Sequence, residues 1–381
     1  MFFTKGEGLR NILLFGSFFL WLITIKERNL SFLKDRISIL FLSFIGSMIL
    51  SAFFSFNTSY SILALREEAL KMLLIYPMIV TVLNKTNRLK ILLILATFTS
   101  LTIALIGFYS YFFYKLPMVK PNTEILHAWH NKFAFYLNIY HPFILGYLFL
   151  SKTNGLKGII ILVLMITITA LFMSTSRGGY LGLITIILIW LFYLKKNGSL
   201  EFKKIFLIIF VLTCIFVLTF NFSPYVKDRI KDIQSDIFTM NNRTIAWKTA
   251  FAAALNRPIF GWGIGGDLFK EKEIYRSINS ASPPIGPHNL FIRITFHQGF
   301  LGLGLFLILV FYTIKNFFKT IDYKNSIENY ILISTVAAII GNYLIHCMLE
   351  DRSLVTFAIF VGIGMAAKYL SETKTYENSL N

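Results

Sequence analysis

The chain has 381 residues, 56% of them hydrophobic and 40 of them phenylalanine, with a formal net charge of +18. Apolar runs of about 17–25 residues recur along it, each long enough to cross a bilayer core, which excludes a soluble domain. Alternating ten-residue strands are absent, which argues against an outer-membrane barrel. The basic residues are scattered over loops on both faces, so nucleic acid is a poor partner and the charge points to membrane lipids or an anionic substrate.

Lys5 and Arg10 precede the first apolar run, as in a signal peptide. Lys26-Glu27-Arg28 follows it in place of a small-residue cleavage site, so the run reads as a retained span. Spans are predicted at 11–25, 37–54, 68–83, 89–113, 133–150, 157–174, 180–194, 203–220, 289–314, 329–347 and 353–370, the first and seventh being short. The predicted class is therefore all-α, a polytopic helical membrane protein of about 11–12 spans forming one membrane domain. Helices 1–8 fill residues 1–220, a long external segment runs from 221 to 287, helices 9–11 fill 288–370, and 371–381 form a cytoplasmic tail with no further domain. Lys and Arg in the short connections number 18 on one alternating side and 9 on the other. By the positive-inside rule the richer side is cytoplasmic, which puts 221–287, Arg177 and His288 outside. The N-terminus also comes out external, against the bias of Lys5 and Arg10, so either the first helix is not a full span or one helix is missing.

The external segment carries its own structural signals. Val226, Ile230, Ile233 and Ile237 recur at helical spacing, as in an amphipathic helix lying on the membrane or the bundle. Asn242 suits the N-cap of a second helix from Arg243 to about Leu255, ended by Arg257-Pro258. In Gly261-Trp262-Gly263-Ile264-Gly265-Gly266 the glycines permit tight turns and close backbone approach, without the lysine of a nucleotide-binding loop. Pro283, Pro284 and Pro287 then stiffen the entry to a helix predicted from His288, on whose face Thr295, Gly299, Gly302 and Phe306 recur.

Three constellations suit chemistry. Ser174-Thr175-Ser176-Arg177-Gly178-Gly179-Tyr180 offers a planar guanidinium, hydroxyls and open backbone to a phosphate or carboxylate; the bland reading is an arginine at the lipid interface. Arg243, predicted at a helix start, would strengthen an anion site there, or simply stack on Trp247. His288, with Asn289 beside it, is a candidate general base near neutral pH, or an interfacial helix cap. Arg293, Arg66 and Lys71 extend a possible basic basin, although Arg66 has Glu67 and Glu68 at hand. His127 and His130 have metal-compatible spacing but no carboxylate cluster, so no metal site is assigned; Cys214 and Cys347 read as buried thiols. His297 falls on the opposite face from His288, so its loss is expected to be mild, and His346, near Glu350 and Asp351, reads as a packing or hydrogen-bonding residue. Two arginines and a histidine on one side fit a metal-independent transfer: the arginines hold a diphosphate and the histidine takes a proton from an attacking hydroxyl.

In these blocks, STSRGGYLG at 174–182, NNRTIAWKTAFAAALNRPIFGWGIGG at 241–266 and PHNLFIRITFHQGFLGLGLF at 287–306, the sequence resembles the O-antigen ligase family of membrane glycan ligases and polymerases. The resemblance implies a cofactor-free glycosyltransferase of the bacterial inner membrane with a periplasmic active site. It would move a polysaccharide from undecaprenyl diphosphate to a sugar hydroxyl of lipid A–core oligosaccharide, inverting the anomeric centre. By motif, Arg177 and Arg243 match the diphosphate arginines and His288 the proposed base. The family's usual twelve helices with both termini cytoplasmic exceed the eleven or so read here, and the departure lies at the start of the chain. A polymerase of the same superfamily is the nearest alternative. A protein oligosaccharyltransferase is less favoured, since no domain is read after Leu370, and a lipid or ion transporter less still, since no inverted repeat is evident.

Overall fold

The computed structural model describes residues 5–122, 128–199, 213–214, 216–221, 225–227, 233–276, 278–280, 286–349 and 353–380. The predicted spans correspond to a series of helices: α1 (Lys5–Ile23), α2 (Arg36–Phe53), α3 (Thr58–Leu65), α4 (Lys71–Val82), α5 (Thr86–Phe113), α6 (His130–Leu150), α7 (Asn154–Met173) and α8 (Arg177–Lys196). After these come α9 (Ile233–Leu255), the short α10 (Lys272–Arg276), α11 (Leu290–Thr320), α12 (Ile327–Ala338) and α13 (Leu354–Leu380). A π turn, Arg66–Leu70, joins α3 to α4 without a break, and α12 runs on through a π turn, Ile339–Ile345, into a 3-10 turn, His346–Met348. No strand occurs among the described residues.

Eight of the described helices are long and apolar enough to cross a membrane, and each matches a predicted span. The span predicted as short at 180–194 is in fact 20 residues, because Ser176 caps the helix early and Arg177 opens it. The runs predicted at 11–25 and 68–83 are the apolar part of α1 and the π-interrupted α3–α4 helix. The run predicted at 203–220 lies largely outside the described residues, as do residues 222–224 and 228–232 of the expected amphipathic helix. Helices suit this setting because they pair their own backbone groups where lipid offers no partner. Side chains finish several ends: Asp35 accepts from Ile37 N, Asn57 from Tyr60 N and Ser326 from Asn329 N.

α12 is the buried axis of the bundle, with every residue from Ile327 to Ala338 buried. Small residues let its neighbours approach closely. A Cβ on Gly146 of α6 would lie 3.1 Å from Ser334 Oγ, and one on Gly341 would lie 2.9 Å from the Gly182 carbonyl of α8. α13 packs on α4, and α11 on α2.

The two ends of the bundle differ. At one end Lys368 pairs with Asp35 at 2.5 Å, Lys374 with the buried Glu328 at 2.6 Å, and Asn197 donates to Asn325 at 2.8 Å. These residues belong to the Lys-rich connections. The opposite end gathers the three sequence blocks singled out above.

Candidate active site

The turn closing α12, residues His346–Leu349, is where the blocks meet. Arg243 of α9 donates from Nη1 to the Leu349 carbonyl at 3.0 Å. Asn289 donates from Nδ2 to the preceding carbonyl, that of Met348, also at 3.0 Å. The His346 ring lies against the first turn of α8, so close that a Cβ on Gly178 would be 2.9 Å from its Cδ2. Arg177, the neighbour of Gly178, is thereby held beside the same turn. Trp247, one helical turn after Arg243, donates its indole N–H to the Pro287 carbonyl and ties α9 to the residue before His288. The structure thus brings Arg177, Arg243 and the His288–Asn289 pair to one corner of the bundle.

Local backbone explains how each is presented. Thr175 has φ +59 and His288 has φ +45, left-handed values that β-branched residues avoid and histidine only tolerates. Such conformations cost on the order of 1–3 kcal/mol and persist where packing fixes them, often at functional sites. At Thr175 the chain leaves α7 and re-enters a helix at once, with Ser176 Oγ accepting from Gly179 N at 3.2 Å. Ser176 is therefore a cap, and Arg177 occupies the first turn of α8, where the dipole favours an anion. Asn138 Nδ2 holds this turn from α6, donating to the Gly179 carbonyl at 2.8 Å. At His288 the left-handed turn lets Asn289 act as the cap, its Oδ1 accepting from Phe291 N at 2.9 Å and Ile292 N at 3.1 Å.

Two sequence expectations are corrected. Arg243 is not at a helix start: α9 begins at Ile233, so Arg243 lies mid-helix and acts by its side chain alone. The helix expected from His288 begins at Leu290, and Gly299 interrupts it with φ +66 and ψ −168, so His288 does not head a continuous strip through Gly302. The Gly-rich run fills that interruption. Trp262 N donates to the Phe296 carbonyl, Gly263 N to the His297 carbonyl and Phe300 N to the Pro258 carbonyl. Gly261 and Gly263 take φ of +69 and +106 with backbone or hydroxyl atoms under 3 Å from any Cβ, which is why glycine stands there.

Arg293, Arg66 and Lys71 form a separate group around the π turn, three cations against the two carboxylates Glu67 and Glu68. Arg293 pairs with Glu68 at 3.1 Å, Lys71 with Glu67 at 2.5 Å and Arg66 with Glu67 at 3.6 Å. The carboxylates offset the basin expected from the cations alone. Close by, the Tyr60 hydroxyl donates to Asp267 at 3.2 Å, and a hydrogen bond from Lys270 holds the Asp267 carboxyl below its ordinary range. His297 is a structural pin, its Nδ1 2.6 Å from the Gly263 carbonyl while its own carbonyl accepts from Ser51 Oγ at 2.5 Å. The mild effect expected for its loss is corrected accordingly, since Ala would abandon the Gly263 bond in a buried setting. His127 lies outside the described residues, among which no three His, Cys, Asp or Glu side chains gather as a metal site.

Sequence reading missed the 346–349 turn and Asn138. His346 and the charged residues Glu350, Asp351 and Arg352 closing an apolar span were a visible signal, but the carbonyl acceptors of the turn are not.

The chain is similar to known proteins over part or most of its length. Residues 160–307 match the O-antigen ligase family, a stretch holding Arg177, Arg243 and His288 and ending before the 346–349 turn. An uncharacterised protein of Haemophilus influenzae is 27% identical over 338 residues, 82% of this chain and 81% of that protein. A ComP-specific O-oligosaccharyltransferase of Acinetobacter baylyi is 25% identical over 239 residues, 61% of this chain but only 41% of that protein. These matches support a glycosyl-transferring enzyme of the membrane glycan ligase type. Across residues 160–307, which hold Arg177, Arg243 and His288, the chain is similar to the O-antigen ligase family.

Proposed function

We propose that the chain transfers a polysaccharide from undecaprenyl diphosphate to a sugar hydroxyl of lipid A–core oligosaccharide, at the periplasmic face of the bacterial inner membrane. The observation that carries the reading is the meeting of Arg243, Asn289 and the Arg177 turn on residues 346–349. Segregation of the Lys-rich connections to the opposite end supports a periplasmic site.

In the proposed reaction the acceptor oxygen attacks the anomeric carbon from the face opposite the diphosphate. The carbon–oxygen bond to the diphosphate breaks, and its electron pair leaves with undecaprenyl diphosphate. Arg177, at the positive end of α8, and Arg243 stabilise that departing charge with charge-assisted hydrogen bonds. The imidazole of His288 takes the hydroxyl proton. The leaving group is a stable anion and needs no acid, so one base suffices and the step is metal-independent. The anomeric centre inverts.

A second reading keeps the donor and changes the acceptor to a protein hydroxyl; the Acinetobacter relative, named an O-oligosaccharyltransferase, supports it. A polymerase would use another lipid-linked repeat unit. Supplying purified lipid A–core, acceptor protein or lipid-linked repeat units to the enzyme with labelled donor distinguishes the three by where the label arrives.

His288→Ala tests the base. Donor binding should persist while single-turnover transfer falls by about 10²–10⁴. Transfer at the wild-type rate with saturating donor would remove His288 from that role, and lost donor binding would make it a diphosphate ligand instead.

A further inference from the structure

At the end of the bundle away from the candidate active site, a cleft of about 220 Å³ opens between the α1–α2 connection, the end of α4 and α13. Its rim is polar, with Asn29, Ser31, Asn84 and Thr373, and its floor is apolar, with Phe32, Val80 and Ala366. Arg28 stands in its wall as the single charged lining residue among the described residues.

The guanidinium of Arg28 is fixed in place. Nε and Nη2 both donate to Thr24 Oγ1, at 3.0 and 2.9 Å, and Nη1 donates to the Thr81 carbonyl at 3.3 Å. Each terminal nitrogen carries two N–H groups, so both keep a donor beyond these bonds. Every acceptor is neutral, and no carboxylate pairs with Arg28 among the described residues. Asp35 and Glu372, carboxylates on neighbouring elements, are engaged by Lys368 at 2.5 and 3.8 Å. A half-buried cation held rigid without a counter-charge is half of an anion site, because its partial desolvation is offset only when an anion arrives.

The surroundings choose the kind of anion. Ile23, Leu33 and Val82, beside the residues that hold Arg28, are 65%, 37% and 38% exposed, as lipid-facing side chains are. A polar rim over an apolar floor, at the level where apolar helix surface ends, matches a phosphodiester joined to acyl chains better than a free solute. We infer that this cleft binds the headgroup of an anionic phospholipid, with its phosphate on Arg28 and its glycerol and first methylenes over Phe32, Val80 and Ala366. The site is independent of the transfer reaction.

Thermal unfolding of the purified full chain in dodecyl maltoside micelles, titrated with phosphatidylglycerol, phosphatidylcholine or inorganic phosphate, tests it. Phosphatidylglycerol should raise the midpoint saturably, and the other two should not. Arg28→Gln should weaken the apparent affinity for phosphatidylglycerol about tenfold or more. Thr373→Trp, an exposed rim position, should obstruct the cleft with Arg28 intact and give a comparable loss while leaving the lipid-free midpoint unchanged; it decides the matter if Arg28→Gln does not fold. Equal stabilisation by phosphatidylcholine, or an unchanged phosphatidylglycerol response in Thr373→Trp, overturns the site. Full reproduction of the effect by inorganic phosphate overturns the lipid assignment in favour of a solute.

Discussion

Asn289 offers a quantitative test of how the corner is assembled, because it does two separable jobs. Its Oδ1 caps α11 through Phe291 N and Ile292 N, and its Nδ2 reaches the Met348 carbonyl at 3.0 Å. Serine is an equally good cap but is too short to reach Met348. Asn289→Ser should therefore lose only the cross-bundle bond. Met348 is 49% exposed and the bond only part-buried, so losing it costs about 0.5–1.5 kcal/mol. Asn289→Ala loses that and the cap, worth about a further 1 kcal/mol. The predicted order is wild type, Ser, Ala, spanning about 1.5–2.5 kcal/mol. Reversible unfolding in mixed micelles with rising denaturing detergent, followed by tryptophan fluorescence, measures it. A serine variant as stable as wild type would show that the Met348 bond contributes nothing. An alanine variant equal to serine would show the same of the cap. Because Arg243 bonds the next carbonyl, the serine variant should also weaken donor binding if the turn organises the site.

Arg177→Ala and Arg243→Ala should each abolish nearly all transfer while still inserting, and Arg177→Lys, which keeps charge but loses the fork, should retain part; wild-type turnover in either alanine variant removes that arginine from the site. With Ser235→Cys, an impermeant thiol reagent should label the protein in outer-membrane-permeabilised cells, and Asn325→Cys should be protected; the reverse pattern inverts the proposed orientation. Gly263→Ala should destabilise by about 2 kcal/mol or more, since φ is +106 and the added Cβ would lie 1.9 Å from Ser55 Oγ. Gly266→Ala, with nothing within 4 Å, should be neutral, and equal effects of the two would refute the close-approach argument.

Hydropathy made eight spans legible because lipid imposes a length and a composition on any helix that crosses it. The alternation of Lys-rich connections sorted the ends of the bundle by the same logic. The tight turn that carries Arg177 was legible in its hydroxyls and paired glycines, and Ser176 caps the helix that Arg177 opens. Arg243 was misplaced because Asn242 suits a helix start, and local propensity cannot distinguish starting a helix from continuing one begun at Ile233. The helix predicted from His288 missed by two residues for a related reason: asparagine outranks histidine as a cap, and Asn289 took the position. The 346–349 turn was beyond reach because its contribution is two backbone carbonyls and a ring face, which every sequence possesses. Their use is decided by packing across the bundle.

The interruption of α11 at Gly299 bears on how the protein enters the membrane. The part of α11 after Gly299, residues 300–320, is by itself about 30 Å long, enough for a hydrocarbon core of about 30 Å, so the stretch before Gly299 stands towards the boundary at the candidate-site end of the bundle. The break frees the Phe296 and His297 carbonyls and the Phe300 amide, and residues 258–263 satisfy all three. Each such group left bare in lipid costs several kcal/mol. α11 therefore cannot settle as a finished rod and wait for its neighbours. In the proposed orientation the Gly-rich segment, made earlier in the chain, has to be translocated and waiting before the first third of α11 reaches its final depth. Retarding export of that segment should strand α11 at an intermediate depth, with His288 delivered last.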